Sequence, residues 1–77
     1  MRIYDVDSSI IGRKCRAMFT GTLVRGTITG IQEDKYSVSV IVTFDQPQNW
    51  GGEVYTTTSN SARKCDGFGS LSHLQLL

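Results

Sequence analysis

The stretch GTLVRGTITGIQEDKYSVSVIVTFD, residues 21–45, decides the fold, because it carries two strand patterns joined by a polar turn. In its second half, apolar residues alternate with mostly polar ones at a period of two. The apolar positions are Tyr36, Val38, Val40, Val42 and Phe44. Such alternation is typical of a strand with one buried face. We therefore predict a strand at residues 36–44 whose Tyr/Val/Phe face lies in the core.

The first half of this stretch predicts a strand that is bent. It is rich in β-branched residues but contains Gly26 and Gly30. Ile28 and Ile31 are three residues apart, which is the wrong spacing for one face of a flat strand. A bulge near Gly30 would turn both isoleucines inward. The segment QEDKY, residues 32–36, then supplies the polar turn.

Five strands are predicted in all, at residues 13–19, 22–32, 36–44, 52–58 and 74–77. The segment DQPQNWGG, residues 45–52, is rich in Gly, Pro and Asn and predicts a turn. A long polar loop over residues 59–70 and one helical turn are expected before the last strand. The predicted core consists of Cys15, Ala17, Phe19, Ile28, Ile31, Val38, Val40, Val42, Phe44, Val54, Leu74 and Leu76.

The run IIGRKCRAMF…GTLVRGTITGI…YSVSVIVTF…VYTTT…LSHLQLL resembles the small SH3-like barrels, particularly their KOW and Tudor-type variants. In those families a glycine precedes strand one, as Gly12 does here, and a G-x-x-x-x-G-x-I-x-x-I pattern marks strand two (Gly21, Gly26, Ile28, Ile31). The resemblance covers residues 11–77 and departs from the family in the longer loop. It implies an all-β, five-stranded SH3-like small barrel, one domain with residues 1–11 as an N-terminal arm and 12–77 as the barrel. Free-standing barrels of this size also resemble small orphan proteins of phages and mobile elements.

Length and charge limit the classes of function. A chain of 77 residues forms one domain with a thin core. Eight Lys and Arg against seven Asp and Glu give a net charge of +1, whereas duplex-binding proteins usually carry a clear basic excess. The sequence has no apolar run long enough for a signal peptide or a membrane helix. We expect a cytoplasmic protein with no membrane partner.

The residues that could support catalysis or metal binding are few. The chain has one histidine, His73, and two cysteines, Cys15 and Cys65. A structural zinc site needs about four Cys or His ligands, and the sequence contains no nucleophile elbow, phosphate loop or dinucleotide motif. We expect no enzymatic activity, no cofactor and no metal. The cysteines are expected to be reduced; a disulfide between them is the alternative, which only geometry can decide.

Aromatic residues outside the predicted core indicate a protein-binding site. Trp50 lies among polar residues and glycines, so it either packs on a neighbouring loop or contacts a partner. Long loops in small domains are often functional, and the predicted loop carries two cations and an aromatic ring. The leading hypothesis is a protein-interaction or inhibitor module. Its predicted partner-binding residues are Trp50, Tyr55, Arg63, Lys64 and Phe68.

Three other hypotheses remain open. Six of the eight cations fall into two clusters that could bind nucleic acid, or could protect edge strands from aggregation. These cations are Arg13, Lys14, Arg16, Arg25, Arg63 and Lys64. A homo-oligomeric ring holding a small molecule could assemble through Met18, Ile41 and either Leu23 or Val24, which the strand assignment turns outward. A Tudor-like aromatic cage for a methylated cation would require convergence of Tyr4, Tyr36, Trp50, Tyr55 and Phe68.

Overall fold

The computed structural model describes residues 5–64, 71 and 73–77, and over this part the chain is all-β, as predicted. Five strands form one antiparallel sheet in the order β4-β3-β2-β1-β5. The strands are β1 (Lys14–Phe19), β2 (Thr22–Glu33), β3 (Ser37–Trp50), β4 (Glu53–Arg63) and β5 (Gln75–Leu76). A 3-10 turn, Ser8–Ile10, precedes β1, and Asp7 caps it by accepting a hydrogen bond from the N–H of Ser9.

The core is formed by the inward faces of β1, β2 and β3 together with residues from both ends of the chain. Its buried apolar residues are Ile10, Cys15, Ala17, Ile28, Val38, Val40, Val42, Phe44, Leu71 and Leu74. All but Ile10 and Leu71 were predicted from the sequence. Burying one such aliphatic side chain contributes about 1.5–3 kcal/mol, so the alternating valines of β3 form the stable centre of this small domain.

Two residues predicted to lie in the core are exposed. Tyr36 is 69% exposed because it belongs to the β2–β3 turn, and the alternation that buries the valines begins only after β3 starts at Ser37. Val54 is 63% exposed because its partner in β3, Asn49, lies beyond the part of β3 that pairs with β2. That part of β3 ends at Phe44. Three other predicted core residues are only partly buried: Phe19, Ile31 and Leu76.

The predicted bulge in β2 is confirmed. Ile28 pairs with Val42, but the next pair joins Gly30 to Ile41, so one extra residue is inserted in β2. Because of the inserted residue, the side chain of Ile31, three residues after Ile28, lies on the same inward face. As a result Ile28 is fully buried and Ile31 packs against the same core.

Gly26 marks the closest approach between the backbones of β2 and β3. A Cβ atom at this position would lie 2.6 Å from the carbonyl oxygen of Thr43 and 2.6 Å from Cγ1 of Val42. Neither contact is sterically allowed, so a side chain here would force the two strands apart. The absence of a side chain, rather than a special backbone dihedral, therefore explains why this position is glycine.

The β2–β3 turn is held by a single carboxylate. Asp34 accepts hydrogen bonds from the backbone N–H groups of Tyr36 and Ser37, both at 2.7 Å. These bonds, with that from Tyr36 the larger contribution, lower the pKa of Asp34 because they favour its charged form. The polar turn predicted at residues 32–36 is confirmed but shorter, since β2 continues to Glu33.

The connection between β3 and β4 is also shorter than predicted. β3 continues to Trp50 and β4 begins at Glu53. The turn predicted over residues 45–52 therefore reduces to Gly51 and Gly52. Pro47 instead lies within an irregular part of β3, and Asn49 lies beyond it, opposite Val54.

β4 also extends into the segment predicted to be a loop. It pairs with β3 as far as Arg63, which lies opposite Ser37. The long loop predicted over residues 59–70 is therefore wrong for its first half, and residues 65–70 lie outside the described part. The residues of this extension are polar except for Ala62, so its two faces look nearly alike in the sequence.

The C-terminal segment returns to the first strand. Leu74 donates a backbone hydrogen bond to the carbonyl of Leu71 at 3.0 Å, and this turn stands where one helical turn was predicted. β5 then pairs with Cys15 and Arg16 of β1. The N–H of Leu77 bonds to the carbonyl of Lys14 at 3.0 Å and completes this edge.

Candidate functional site

A break in the β3–β4 ladder sets off the hairpin tip, which we define as residues 48–55. Thr43 pairs with Thr57, but the next pair along the hairpin is Gln48 with Tyr55. Four residues of β3 therefore lie opposite one residue of β4. Pro47 is among the four, and its missing N–H is tolerated where the ladder is irregular. Such an insertion bends the strand, so the hairpin tip departs from the direction of the regular ladder.

Two glycines close the hairpin tip. Gly51 and Gly52 both have positive φ, 60° and 82°. Two successive residues of this kind form the tight two-residue connection whose twist matches that of the flanking strands. A Cβ at either position would meet nothing within 4 Å, so the backbone conformation rather than space requires glycine. The connection fixes the register in which Trp50 lies opposite Glu53.

The hairpin tip exposes two apolar side chains. Trp50 is 58% exposed and Val54 is 63% exposed. Directly opposed residues share a face of a two-stranded ladder, so Trp50 lies beside Glu53 on one face, and Val54 lies beside Asn49 on the other. One face thus offers an indole next to a carboxylate, a combination suited to an apolar pocket bordered by a cation.

Tyr55 connects the hairpin tip to the body of the protein. Its ring lies 5.3 Å from that of Phe19, which in turn lies 5.1 Å from the ring of Phe44, measured between ring centroids. The hydroxyl of Tyr55 donates a hydrogen bond to Glu53 at 3.0 Å. The base of the tip is therefore fixed to the core, and the Glu53 carboxylate is held on the face that carries Trp50.

The structure brings together only part of the predicted partner-binding set. Trp50 and Tyr55 share the hairpin tip, but Arg63 and Lys64 lie at the other end of β4, about 26 Å from Tyr55 at the usual rise of a strand. Lys64 forms an ion pair with Glu33 at 2.5 Å. Phe68 lies outside the described residues. The separation follows from the continuation of β4 as a strand where a loop was predicted.

The basic residues of β1 and β2 form a second, smaller surface. Arg16 lies directly opposite Arg25, so two guanidinium groups project from the same face. Lys14 is on this face as well, but its ammonium pairs with Asp45 at 2.8 Å. Arg13 lies immediately before β1 and is exposed. Two of the six predicted cations, Lys14 and Lys64, are thus already paired with carboxylates.

Of the five aromatic residues proposed for a cage, the described part of the structure brings together Trp50 and Tyr55 but not Tyr36. Tyr36 lies before the start of β3 and Trp50 at its end, so the strand separates them. Tyr36 instead contacts the neighbouring Lys35, whose ammonium lies 5.7 Å from the ring centroid. Tyr4 and Phe68 lie outside the described residues.

Sequence reasoning missed Val54 and Glu53 as members of the site. Val54 was assigned to the core by alternation with Thr56, and Glu53 received no role. A glycine pair between two strand-like runs is a recognised signal for a two-residue hairpin turn. Read in that way, Gly51 and Gly52 place Glu53 opposite Trp50.

The groups usual in catalysis show no assembled centre among residues 5–64, 71 and 73–77. Cys15 is a free thiol with no exposed surface, and its pKa is raised chiefly by burial and further by the nearby Asp45. His73 is exposed. Over the same residues there is no cluster of three or more side chains able to hold a metal ion, and no helix long and apolar enough to span a membrane. Cys65, the other cysteine, lies outside this part.

Comparison with known proteins gives a family but no relative of known activity. The family described as "Domain of unknown function (DUF7258)" matches residues 1–76. The match therefore spans all five strands and the hairpin tip. No curated protein matches the chain, and no solved structure matches it.

Proposed function

The chain belongs to this family, whose description leaves its function open, and we propose that it is a non-enzymatic module that binds a protein partner through the hairpin tip. The observation that carries the proposal is the 58% exposure of Trp50 at the end of a hairpin. Tryptophan is enriched among the residues that dominate protein–protein binding energy. An exposed indole on a fixed support is therefore best explained by a partner that covers it.

The chemistry of the hairpin tip describes the surface that it fits. The indole of Trp50 requires an apolar pocket, and the neighbouring Glu53 carboxylate favours Lys or Arg at the border of that pocket. Val54 on the opposite face would contact a second part of the partner if the tip inserts into a cleft. Because Tyr55 fixes the base of the hairpin to Phe19, little conformational entropy is lost on binding.

The architecture that we infer for this module is an SH3-like small barrel. The strand order supports it, since β5 returns to lie beside β1 at the opposite end of the sheet from β4. The contact between Phe19 of β1 and Tyr55 of β4 supports it as well, because it draws two strands that are not paired toward each other. In a barrel of this kind the connections between strands carry the binding residues, which agrees with the position of Trp50.

The absence of catalysis is part of the proposal. Cys15 is completely buried, and burial keeps its thiol protonated, whereas His73 is exposed. A nucleophile and its base need to lie within hydrogen-bond distance of each other. This thiol and this imidazole occupy different environments, which favours a binding role over a catalytic one.

Comparison of two aromatic variants tests the proposal. Trp50→Ala removes the exposed ring of the hairpin tip, and Tyr36→Ala removes an even more exposed ring at a different turn. A partner captured by the tagged wild-type protein from its own organism, then purified, should bind Trp50→Ala about thirtyfold more weakly or worse. The same partner should bind Tyr36→Ala as it binds the wild type. Equal affinity for all three proteins would contradict docking through the hairpin tip.

A nucleic-acid partner is a second candidate, supported by the pair of Arg16 and Arg25. Like charges directly opposite on a sheet are unfavourable unless an anion lies between them. If a phosphate binds there, Arg25→Glu should weaken binding to labelled single-stranded DNA, duplex DNA or RNA and flatten its salt dependence. An anisotropy titration with no binding at low salt would remove this candidate.

A further inference from the structure

One edge of the sheet has no partner strand among the described residues. β4 is the terminal strand of the order β4-β3-β2-β1-β5, and within residues 5–64, 71 and 73–77 it pairs only with β3. Its regular ladder with β3 extends from Thr57, opposite Thr43, to Arg63, opposite Ser37. We call residues 57–63 the β4 edge. It is separate from the hairpin tip, which begins beyond the break in the ladder.

The hydrogen bonds of the neighbouring strands define which backbone groups of the β4 edge are unused. Lys64 donates its N–H to the carbonyl of Tyr36 at 2.8 Å, so this opposed pair is a hydrogen-bonded one. In an antiparallel ladder such pairs alternate with non-hydrogen-bonded pairs. Residues 58, 60 and 62 therefore direct their N–H and carbonyl groups toward β3. Residues 57, 59, 61 and 63 direct theirs outward.

Apart from Arg63 at its end, the β4 edge lacks the features that protect exposed strands from pairing. Natural edge strands carry charges, proline or bulges that prevent another strand from adding to them. From Val54 to Ala62 the sequence contains no charged residue and no proline. An unprotected row of outward N–H and carbonyl groups is a template for an additional antiparallel strand.

We propose that the β4 edge binds the β4 edge of a second copy of this chain, forming a two-fold symmetric dimer whose sheets join. The pairing is centred on Asn60, because this register engages all four outward-directed residues. Thr57 then lies opposite Arg63 of the second copy, Ser59 opposite its Ser61, and Asn60 opposite its Asn60. No like charges meet in this register, whereas a pairing centred on Arg63 would oppose two guanidinium groups.

Asn60 supplies an independent reason for this centre. Its Nδ2 is buried, and it has no hydrogen-bond partner among the described residues, an arrangement that normally costs stability. At a two-fold axis between non-hydrogen-bonded residues, opposed Cα atoms lie only about 4.5 Å apart. Once the side chain turns toward the axis, each amide can donate to the other's Oδ1. A side-chain amide carries both a donor and an acceptor, so two identical amides can bond to each other across a two-fold axis.

The dimer should be weak and should leave the binding site free. Pairing seven residues along one edge buries less surface than the roughly 1,200–2,000 Å² of a stable interface, so micromolar affinity is expected. The break in the ladder keeps the hairpin tip outside the paired segment. A dimer would then present two copies of Trp50, which raises the apparent affinity for a partner with two sites. The inference itself does not depend on the proposed partner.

Sedimentation velocity combined with amide exchange tests the dimer. Between about 10 µM and 1 mM, the mass of the wild-type protein should rise from 8.5 kDa toward twice that value. Over the same range the N–H groups of residues 57, 59, 61 and 63 should become protected, while those of 58, 60 and 62 are protected throughout. A monomer at the highest concentration would overturn the proposal. So would a dimer in which these outward N–H groups stay exchangeable.

A charge exchange provides the matched control. Ser59→Glu/Ser61→Glu and Ser59→Lys/Ser61→Lys each place like charges opposite one another in the proposed register, and each loses the hydroxyl contact between Ser39 and Ser61. Each variant alone should be monomeric at the concentration at which the wild type dimerises, and a mixture of the two should dimerise. Dimerisation of either variant alone, or none in the mixture, would overturn the register. If both variants unfold, the exchange pattern of the wild type still decides the question.

Discussion

Gly26 is the residue at which one added methyl group should destabilise the fold most. In Gly26→Ala the new Cβ would lie 2.6 Å from the Thr43 carbonyl oxygen. Overpacking of this kind typically costs about 1–3 kcal/mol, and here backbone rather than a flexible side chain must move. Gly30→Ala is the control, since its nearest atom is 3.5 Å away, an ordinary contact. Urea unfolding should show a large loss of free energy for Gly26→Ala alone; equal losses would contradict the close approach.

Thr20 carries backbone strain that a substitution should relieve. Its φ is 49°, which is unusual for a β-branched residue, and it is followed by Gly21 in the two-residue β1–β2 turn. Asn-Gly is the preferred pair for such turns. Thr20→Asn should therefore stabilise the protein by about 1 kcal/mol, which raises Tm by roughly 4–8 °C. Scanning calorimetry measures this, with Thr22→Asn in the adjoining strand as control. An unchanged or lower Tm for Thr20→Asn would contradict the strain.

At the scale of an element, the β2–β3 turn should depend on pH through Asp34. Hydrogen bonds from Tyr36 and Ser37 lower the pKa of Asp34 in the folded chain. Its charged form therefore stabilises the turn above the unfolded pKa of about 3.9, and this contribution is lost as pH falls through the lower folded pKa. Asp34→Asn keeps an acceptor oxygen but removes the charge. The variant should be less stable than the wild type near neutral pH.

Urea unfolding of both proteins at neutral pH and at about pH 2 measures this dependence. The difference in free energy should shrink at the lower pH, because the charged form of Asp34 is progressively lost in the wild type as pH falls toward its lowered pKa. Asp7, whose pKa is also lowered by its bonds to Ser9, is present in both proteins and cancels from the comparison. A difference that does not change with pH would show that the charge of Asp34 contributes nothing to the turn.

Strands with one apolar face were predictable, and strands with two polar faces were not. The alternation from Val38 to Phe44 gave the third strand, and the spacing of Ile28 and Ile31 gave the bulge. Beyond residue 58, β4 has mostly Ser and other small polar residues on both faces, so its pairing with β3 leaves no periodic signal. Backbone pairing with β3 extends that strand, and Ala62 is the one apolar residue of this extension that packs against the core.

At the scale of the whole molecule, individual residues of the candidate site could be predicted from the sequence, but their arrangement could not. Trp50 was singled out because nothing in the pattern required its burial, and it is exposed. Its neighbours depended on information that the local pattern lacks: the register that sets Glu53 beside it, and the strand that carries Arg63 and Lys64 to the far end of β4. Ion pairs such as Lys14 with Asp45 join residues that are distant in sequence. The sequence alone therefore could not show which of the predicted cations are already paired with a carboxylate.

The division of the molecule into a sheet body and a hairpin tip shows how so small a core could support the binding site that we propose. The body buries the valines of β3 and anchors the tip through the rings of Phe19 and Tyr55. The hairpin tip buries little apolar surface, so the side chains of Trp50 and Val54 are accessible to the proposed partner. The buried core residues and the proposed binding residues therefore lie in different parts of one hairpin.

The emission of Trp50 tests this account most directly, because it is the one tryptophan in the chain. In the folded protein without a partner, its emission maximum and its quenching by acrylamide should lie close to those of the urea-unfolded chain, as expected for an exposed indole. Addition of the partner should shift the emission to shorter wavelength and protect it from quenching. A blue-shifted, shielded emission in the free protein, released only on unfolding, would contradict the account and make Trp50 a packing residue.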